Sequence, residues 1–341
     1  MLVLHILTGR ADDRAASYAA ELIRGLHAAD LKQSVIMDAR APHYKAIEKA
    51  GIEMAPGIVS AHGQWRRRLL LRRLISRLKP DAIHCWTHAA TRLVSSEKIR
   101  MIVWLGGRDD PDHFASNAHF VAATTDIAAH LVRQNVARAR VRFMPVFSAL
   151  STAPPVDRNL LATPRDAKAL VNFSPLHPAA RLDVLLTALR DLPGCYLWLA
   201  GTGPLRHALE AQAAEKDVVD RVRFVKAMDR AALLRAADLC VLPAPDEPLG
   251  TIVQDAWMSG TPLVAGGITG FLSPFEDNVE GKLVEAGDAI GLARAISDIL
   301  DNEDLRGRLI AQGYATGLNF YARETVIRRW VEFYREISAN N

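Results

Sequence analysis

Residues 241–266 read VLPAPDEPLGTIVQDAWMSGTPLVAG, and the order of residue types in this stretch indicates the fold. An apolar run leads into an acidic loop, a glycine turn, an amphipathic segment and a second apolar run. This pattern predicts a strand, a helix and a further strand. Strands that alternate with helices favour a parallel sheet with crossover helices, so the stretch predicts an α/β fold.

The same alternation extends in both directions along the 341 residues. The first half predicts strands at 2–7, 33–37, 81–86, 100–105 and 119–124, with helices at 16–29 and up to about 134. The second half predicts strands at 168–173, 195–201, 221–225, 239–244 and 261–266. Its predicted helices lie at 181–189, 204–216, 289–319 with a break, and 324–338.

The segment 147–166 interrupts this alternation with three prolines and no clear periodicity. We interpret it as a linker between two domains. The chain length agrees, because domains hold roughly 100–200 residues. We therefore expect one domain over 1–150, a second over 151–320 and a terminal helix over 321–341.

The composition favours a cytoplasmic protein. Lys and Arg number 42 against 38 Asp and Glu, which gives a formal net charge of +4. Cys85, Cys195 and Cys240 lie in apolar segments without a CxxC pair, which is typical of reduced, buried thiols. The first apolar run has no basic region before it and reads as a strand rather than a signal peptide. Since no apolar stretch approaches roughly 20 residues, any membrane contact should be peripheral, on the inner face of the membrane.

The glycine turn within 241–266 is a candidate anion site. Leu249, Gly250 and Thr251 stand where a helix begins, and the backbone N–H groups there favour a group such as a diphosphate. Glu247 and Asp255 flank this turn and could accept hydrogen bonds from sugar and ribose hydroxyls. An ordinary helix N-terminus after an acidic loop explains the same pattern without a ligand.

The segment EPLGTIVQD (247–255) resembles the retaining glycosyltransferases of family 4, in which an E-x-F/L-G motif precedes a second acid. The resemblance implies the GT-B fold, with two Rossmann-like domains facing across a cleft. The N-terminal domain would bind the acceptor and the C-terminal one the nucleotide sugar, and the last helix would cross back to the first domain. It also implies that Glu247 approaches the donor sugar and Asp255 the ribose, although Asp255 is shorter than the usual Glu.

The resemblance covers the whole C-terminal half. LWLAGTGPLRHALE (197–210) matches a strand–GxGP–helix segment, and DRVRFVKAM (220–228) matches the next strand. SPLHPAARLD (174–183) departs from the family, because Pro175 and Ala180 replace an Arg and a Lys that hold the diphosphate. The implied donor-binding residues are Gly201, Gly203, Pro204, Arg181, Lys226, Leu249, Gly250, Thr251, Ile252 and Asp255.

The N-terminal half carries a fainter resemblance at TGRADD (8–13), DAIHCWTHAA (81–90) and WLGGRDDPDHF (104–114). It implies His84 and Asp109 as catalytic residues beside Glu247. It implies an acceptor side that consists of Gly9, Arg10, Asp12, His88, Gly106, Gly107 and Arg108. Each histidine could instead be a packed or solvent-facing side chain. RDDPD (108–112) has the spacing of a metal-binding DxD, but the resemblance implies no metal and no cofactor.

Residues 65–79, WRRRLLLRRLISRLK, carry seven basic residues and no acid. Trp65, Leu69, Leu74, Ile75 and Leu78 recur at helical spacing. Two interpretations stay open: a helix that lies on an anionic membrane surface, and a crossover helix with a solvated basic face. We do not expect a nucleic-acid partner, because no binding module is recognisable.

The sequence therefore predicts a retaining glycosyltransferase that moves a sugar from a nucleoside diphosphate to a lipopolysaccharide or other surface glycan. Two alternatives stay open. The missing Arg and Lys at Pro175 and Ala180 favour a catalytically silent GT-B protein that binds or scaffolds partners. A sugar-nucleotide 2-epimerase of the same fold is the other.

Overall fold

The computed structural model describes residues 1–8, 13–94, 99–114, 118–147, 150–226, 228–244, 251–267 and 275–339. The chain divides into two compact units, Met1–Val146 with Arg323–Asn341 and Phe147–Ala322. The domain boundaries predicted from the sequence are 150 and 320. The linker prolines at 147–166 belong to the second unit, where Arg158–Leu161 forms a short 3₁₀ helix.

Within the described part of the first unit, seven strands form a parallel sheet in the order β3-β2-β1-β4-β5-β6-β7. The strands are β1 (Leu2–Leu7), β2 (Lys32–Met37), β3 (Glu53–Met54), β4 (Ala82–Cys85), β5 (Arg100–Leu105), β6 (His119–Ala122) and β7 (Val141–Phe143). The helices that connect them are α1 (Asp13–Ala28), α2 (Tyr44–Lys49), α3 (Gly57–Ser60), α4 (Gln64–Leu78), α5 (His88–Thr91) and α6 (Thr125–Arg133).

The second unit repeats this design with a parallel sheet in the order β10-β9-β8-β11-β12-β13. Its strands are β8 (Lys168–Asn172), β9 (Cys195–Leu199), β10 (Val222–Phe224), β11 (Leu239–Leu242), β12 (Leu263–Gly266) and β13 (Lys282–Val284). Its helices are α7 (Leu182–Arg190), α8 (Arg206–Glu215), α9 (Arg230–Ala236), α10 (Thr251–Met258), α11 (Ala289–Asp301) and α12 (Glu303–Thr316). A π-helical turn at Gly317–Tyr321 follows α12.

The last helix, α13 (Arg323–Ala339), packs in the first unit against α1 and β4. Gly25 on α1 permits the close approach, since a Cβ there would lie 2.3 Å from Cδ1 of Ile327. Trp330 and Tyr334 are fully buried, and the Trp330 indole donates a hydrogen bond to the Tyr18 hydroxyl at 3.2 Å. The N-terminal unit therefore takes part of its core from the C-terminal end of the chain.

The cores follow from the sequence pattern. Strands β1, β4, β8 and β11 are buried almost throughout, as expected for central strands that are covered on both faces. Cys85, Cys195 and Cys240 are buried free thiols, as the sequence predicts. Among the described residues, no helix is both long and apolar enough to cross a membrane.

Candidate functional site

The topological switch point of the second sheet lies between β8 and β11. From these neighbouring strands the chain leaves to opposite sides of the sheet, which opens a crevice at their carboxyl ends. Phe173 follows β8 directly, and the segment after β11 leads into α10. Ligands of open α/β sheets bind at such a position, so we take it as the candidate site of this unit.

Gly201 and Gly203 lie after β9, beside this switch point. A Cβ on Gly201 would lie 2.0 Å from the Ser174 carbonyl oxygen, and one on Gly203 would lie 2.5 Å from that of Leu176. The two loops also exchange hydrogen bonds, from Leu176 N to the Thr202 oxygen and from Leu205 N to the Leu176 oxygen. Close backbone packing thus requires these glycines independently of any ligand. Pro204 is exposed, two residues before α8 begins.

Asp255 lies in the second turn of α10, and its side chain is 7% exposed. Its Oδ2 accepts a charge-assisted hydrogen bond from Nη1 of Arg230 at 2.7 Å. The Arg230 guanidinium also stacks over the Phe173 ring, 5.6 Å from its centroid. Arg230 and Phe173 belong to no local sequence pattern, because they and Asp255 lie far apart in the chain. The ribose contact of Asp255 stays a prediction.

The remaining cations predicted for the donor are exposed. Arg181 has a left-handed backbone with φ 49°, precedes α7 and forms an ion pair with Asp183 at 3.3 Å. Lys226 follows β10 on the surface.

The other predicted donor residues belong to α10 or precede it. Thr251 is the first described residue of α10, and Ile252 packs into the core. Six predicted site residues lie outside the described residues: Gly9, Arg10, Asp12, Glu247, Leu249 and Gly250.

His84, which the sequence predicts as catalytic, has a ring that is completely buried in the first unit. The imidazole stacks on Trp86 with ring centroids 4.2 Å apart and on Trp330 at 5.1 Å. Its Nδ1 lies 2.6 Å from the Tyr334 hydroxyl. Burial, reinforced by the nearby His5, holds the pKa of His84 well below its usual range, so the ring is neutral. His84 is a core residue that joins β4 to α13.

Other predicted acceptor-side residues lie at the carboxyl edge of the first sheet. The switch point there lies between β1 and β4, where the Thr87 hydroxyl donates to the Thr8 carbonyl oxygen. His88, the next residue, is exposed and packs edge-on against Phe114 at 5.4 Å. The sheet thus brings His88 to its own switch point.

The loop after β5 carries the remaining predictions. Gly106 and Gly107 are half-buried, and Asp109 is exposed. Arg108 is occupied by a two-pronged ion pair with Asp126, at 2.8 and 2.9 Å. Asp110 accepts a hydrogen bond from the backbone N–H of Asp112, which caps a short 3₁₀ helix. Arg108 and Asp110 therefore have structural partners, whereas the Asp109 carboxylate is accessible.

A cavity of about 590 Å³ opens beyond the carboxyl end of β2. The side chains that can interact with an anionic or hydroxylated ligand there are Asp38, Arg40, Ser60, His62 and Arg67. Arg40 pairs with Asp38 at 2.8 Å and is 89% exposed. The cavity could not be predicted from the sequence, because its lining comes from two stretches, 38–40 and 56–67, that resemble no motif.

The basic segment forms α4, but its apolar residues do not share one face as predicted. Leu71 and Leu74 are buried, whereas Trp65 is 68% and Leu69 41% exposed. Arg66 lies over the Trp65 ring at 5.7 Å. The basic residues at 66, 68, 72, 73 and 77 are exposed as well. The exposed face therefore combines aromatic and aliphatic side chains with positive charge.

Comparison with known proteins identifies the family. The family model for glycosyl transferases group 1 matches residues 156–316, which lie within the second unit. The lipopolysaccharide core biosynthesis glycosyltransferase LpsE of Rhizobium meliloti is 30% identical over 266 residues, covering 77% of this chain and 78% of LpsE. The chain belongs to the group 1 glycosyltransferases. LpsD of the same organism, also described as a lipopolysaccharide core biosynthesis glycosyltransferase, is 29% identical over 347 residues, with 98% of each chain covered.

Among solved structures, a glycosyltransferase from Rickettsia africae superposes on this group 1 glycosyltransferase with a TM-score of 0.83. The alignment covers 100% of this chain and 99% of the other at 15% identity. At that identity the likeness shows the fold alone. Two parallel-sheet, Rossmann-like units with flanking helices constitute the GT-B fold that the sequence predicts.

Proposed function

We propose that this glycosyltransferase moves a sugar from a nucleoside-diphosphate sugar to a lipopolysaccharide core or another surface glycan, with retention of anomeric configuration. The likeness to LpsE and LpsD carries the proposal for the acceptor, since the alignment with LpsD spans nearly both chains. The E-x-L-G…D resemblance at 247–255 supports the donor class and the stereochemistry.

The second unit binds the donor in this proposal. Its switch point provides the start of α10 on one side and the glycine-permitted loops after β8 and β9 on the other. Backbone N–H groups at a helix start stabilise a diphosphate leaving group as negative charge develops on it. Glu247 orients the donor sugar. The reaction requires no added metal or cofactor.

The first unit binds the acceptor, at the carboxyl edge that carries His88, the glycines after β5 and the cavity beyond β2. The exposed carboxylate of Asp109 at that edge supports a catalytic role for this residue. Arg40 and Arg67 give the cavity a positive character, which suits the anionic groups of a lipopolysaccharide core.

The protein acts at the inner face of the membrane, to which α4 attaches it. The exposed Trp65 and Leu69 enter the lipid headgroup region, while the flanking guanidinium groups contact anionic lipids. The three buried free thiols support a reducing, cytoplasmic location.

A transfer assay tests the proposal. Purified protein is incubated with lipopolysaccharide of truncated core and a panel of UDP-, GDP- and ADP-sugars, in the presence of EDTA. We expect a single donor to extend the core, and Glu247→Ala to abolish transfer while its circular dichroism is unchanged. Glu303→Ala serves as the control, because this carboxylate is 92% exposed at the start of α12.

Two outcomes would contradict the proposal. Absence of both transfer and nucleotide binding would indicate a silent binding protein. Conversion of the sugar of a UDP-sugar to its C2 epimer, without a glycan product, would indicate an epimerase.

A further inference from the structure

A bound diphosphate needs positive charge close to its oxygens, and Arg230 is a described residue that can supply it at the switch point. Arg181 is paired with Asp183, and Arg206 is paired with Glu210 at 2.9 Å on the outer surface of α8. Neither contacts the residues that border the switch point between β8 and β11. Arg230 does, through Phe173 on one side and Asp255 of α10 on the other.

We propose that Arg230 binds the diphosphate of the donor and compensates for the family cations that Pro175 and Ala180 replace. This inference rests on the proposed function. Arg230 is the first residue of α9, directly after the loop that follows β10, and so lies at the carboxyl edge of the sheet. Its guanidinium spans from the end of β8 to α10, which are the two borders of the switch-point crevice.

The surroundings of Arg230 hold the guanidinium in place before a ligand arrives. The Asp255 carboxylate accepts from Nη1, and the guanidinium carbon lies over the Phe173 ring. Asp255 is nearly buried, yet 41% of the Arg230 side chain is exposed. Among the described residues, Asp255 is the hydrogen-bond acceptor that the guanidinium reaches. The remaining N–H groups of a guanidinium suit phosphate oxygens, which accept them in pairs.

A purely structural role is the competing explanation, in which Arg230 only neutralises the buried Asp255. Removing the arginine alone would then take this ion pair from the buried Asp255 carboxylate and destabilise the unit. The double substitution Arg230→Met/Asp255→Asn avoids this, because it removes both charges and keeps similar volumes. The double variant should therefore stay folded, so that a loss of ligand affinity can be measured without a loss of the fold.

Isothermal titration calorimetry with UDP, GDP and ADP first identifies the base that the wild-type protein binds. The nucleoside, monophosphate and diphosphate of that base are then titrated into the wild type and the double variant. We expect the affinity for the diphosphate to fall roughly 10- to 150-fold, which corresponds to about 1.5–3 kcal/mol for a charge-assisted hydrogen bond. The loss for the diphosphate should exceed any loss for the nucleoside, which reports the predicted ribose contact of Asp255. Arg230→Lys should give an intermediate loss.

Arg206→Ala provides the matched control, because Arg206 also stacks on a phenylalanine and pairs with an acid in the same unit. It should leave all three affinities at their wild-type values. Diphosphate binding by the folded double variant within two-fold of wild type would overturn the inference. An equal loss for nucleoside and diphosphate would also overturn it and would favour a ribose contact by Asp255. If the wild type bound none of the three diphosphates, the proposed function itself would fail.

Discussion

The Nδ1 atom of His84 in β4 lies 2.6 Å from the hydroxyl oxygen of Tyr334 in α13, and both side chains are fully buried. This contact joins residues that are 250 positions apart in the chain. It lies in a stack of rings that includes Trp86 and Trp330. The contact therefore couples the central strands of the first unit to the last helix.

Substitution of Tyr334 by Phe should destabilise the first unit. It removes the hydroxyl and leaves His84 Nδ1 buried without that partner, which costs about 1–3 kcal/mol. Urea unfolding followed by tryptophan fluorescence measures the change. Tyr314→Phe is the control, since Tyr314 is 44% exposed and should be insensitive. Equal midpoints for Tyr334→Phe and wild type would show that the contact adds nothing.

Stability should decrease as the pH falls below about 6.5. Burial lowers the pKa of His5 to about 3 and that of His84 well below its usual value, so the folded state keeps both rings neutral. The unfolded chain binds these protons near pH 6.5, and stability is therefore full above that pH and lost between about 6.5 and 3. At pH 5.5 each ring lowers the free energy of unfolding by about 1.4 kcal/mol, and the pair lowers it by about 3 kcal/mol.

Unfolding free energies at a series of pH values between 8 and 5 measure this effect. His5→Asn should flatten the slope below pH 6.5, even if it lowers the absolute stability. His207→Asn should leave the slope as it is, because that side chain is 94% exposed. An identical slope in all three proteins would contradict the assignment.

Gly201→Ala should destabilise the second unit. The added Cβ would lie 2.0 Å from a backbone oxygen that cannot rotate away, and the resulting strain costs about 1–3 kcal/mol. Gly307→Ala makes a matched comparison, because nothing lies within 4 Å of its Cβ position in α12. That change should raise stability by up to about 1 kcal/mol. Calorimetric melting shows whether each substitution raises or lowers stability. A Gly201→Ala protein as stable as wild type would refute the packing argument.

Arg66→Gln/Arg73→Gln should weaken binding to vesicles that contain phosphatidylglycerol. Each basic residue near an anionic surface contributes about 1 kcal/mol, so two neutralisations should lower the partition coefficient roughly 30-fold. Trp65→Ala should lower the partition coefficient at high salt as well, because the apolar contact of Trp65 remains when the charges are screened. Vesicle sedimentation supplies the numbers, with Arg294→Gln/Arg308→Gln on exposed positions of the second unit as control. Equal losses in both double variants would indicate a general charge effect without a specific α4 surface.

Much of the fold could be predicted from the sequence, because central strands are continuous apolar runs with clear ends. Predictions at 2–7 and 100–105 coincide with β1 and β5, whereas the predicted linker at 147–166 lies within the second unit, at its start. The edge strands β3, β7 and β13 were missed. They have two or three residues, are only partly buried and alternate with charges, so their sequences lack an apolar run.

The candidate site was less predictable, because burial and distant pairing decide what a polar residue does. His84 lies near the end of β4, as an active-site histidine would, and the packing of α13 over β4 helps to bury its ring. Arg230 and Asp255 meet across two helices, which sequence spacing does not reveal. Gly201 and Gly203 were singled out for a ligand, but the neighbouring loop already requires them.

Because α13 supplies Trp330 and Tyr334 to the first unit, the core of that unit cannot be completed until the end of the chain has been synthesised. The ribosome completes β1–β7 and then makes the whole second unit before the residues that cover His84 emerge. At roughly 5–20 residues per second, this interval is on the order of ten seconds or more. During that time the nascent N-terminal unit exposes aromatic side chains that α13 later covers, and we expect chaperones to bind this exposed surface.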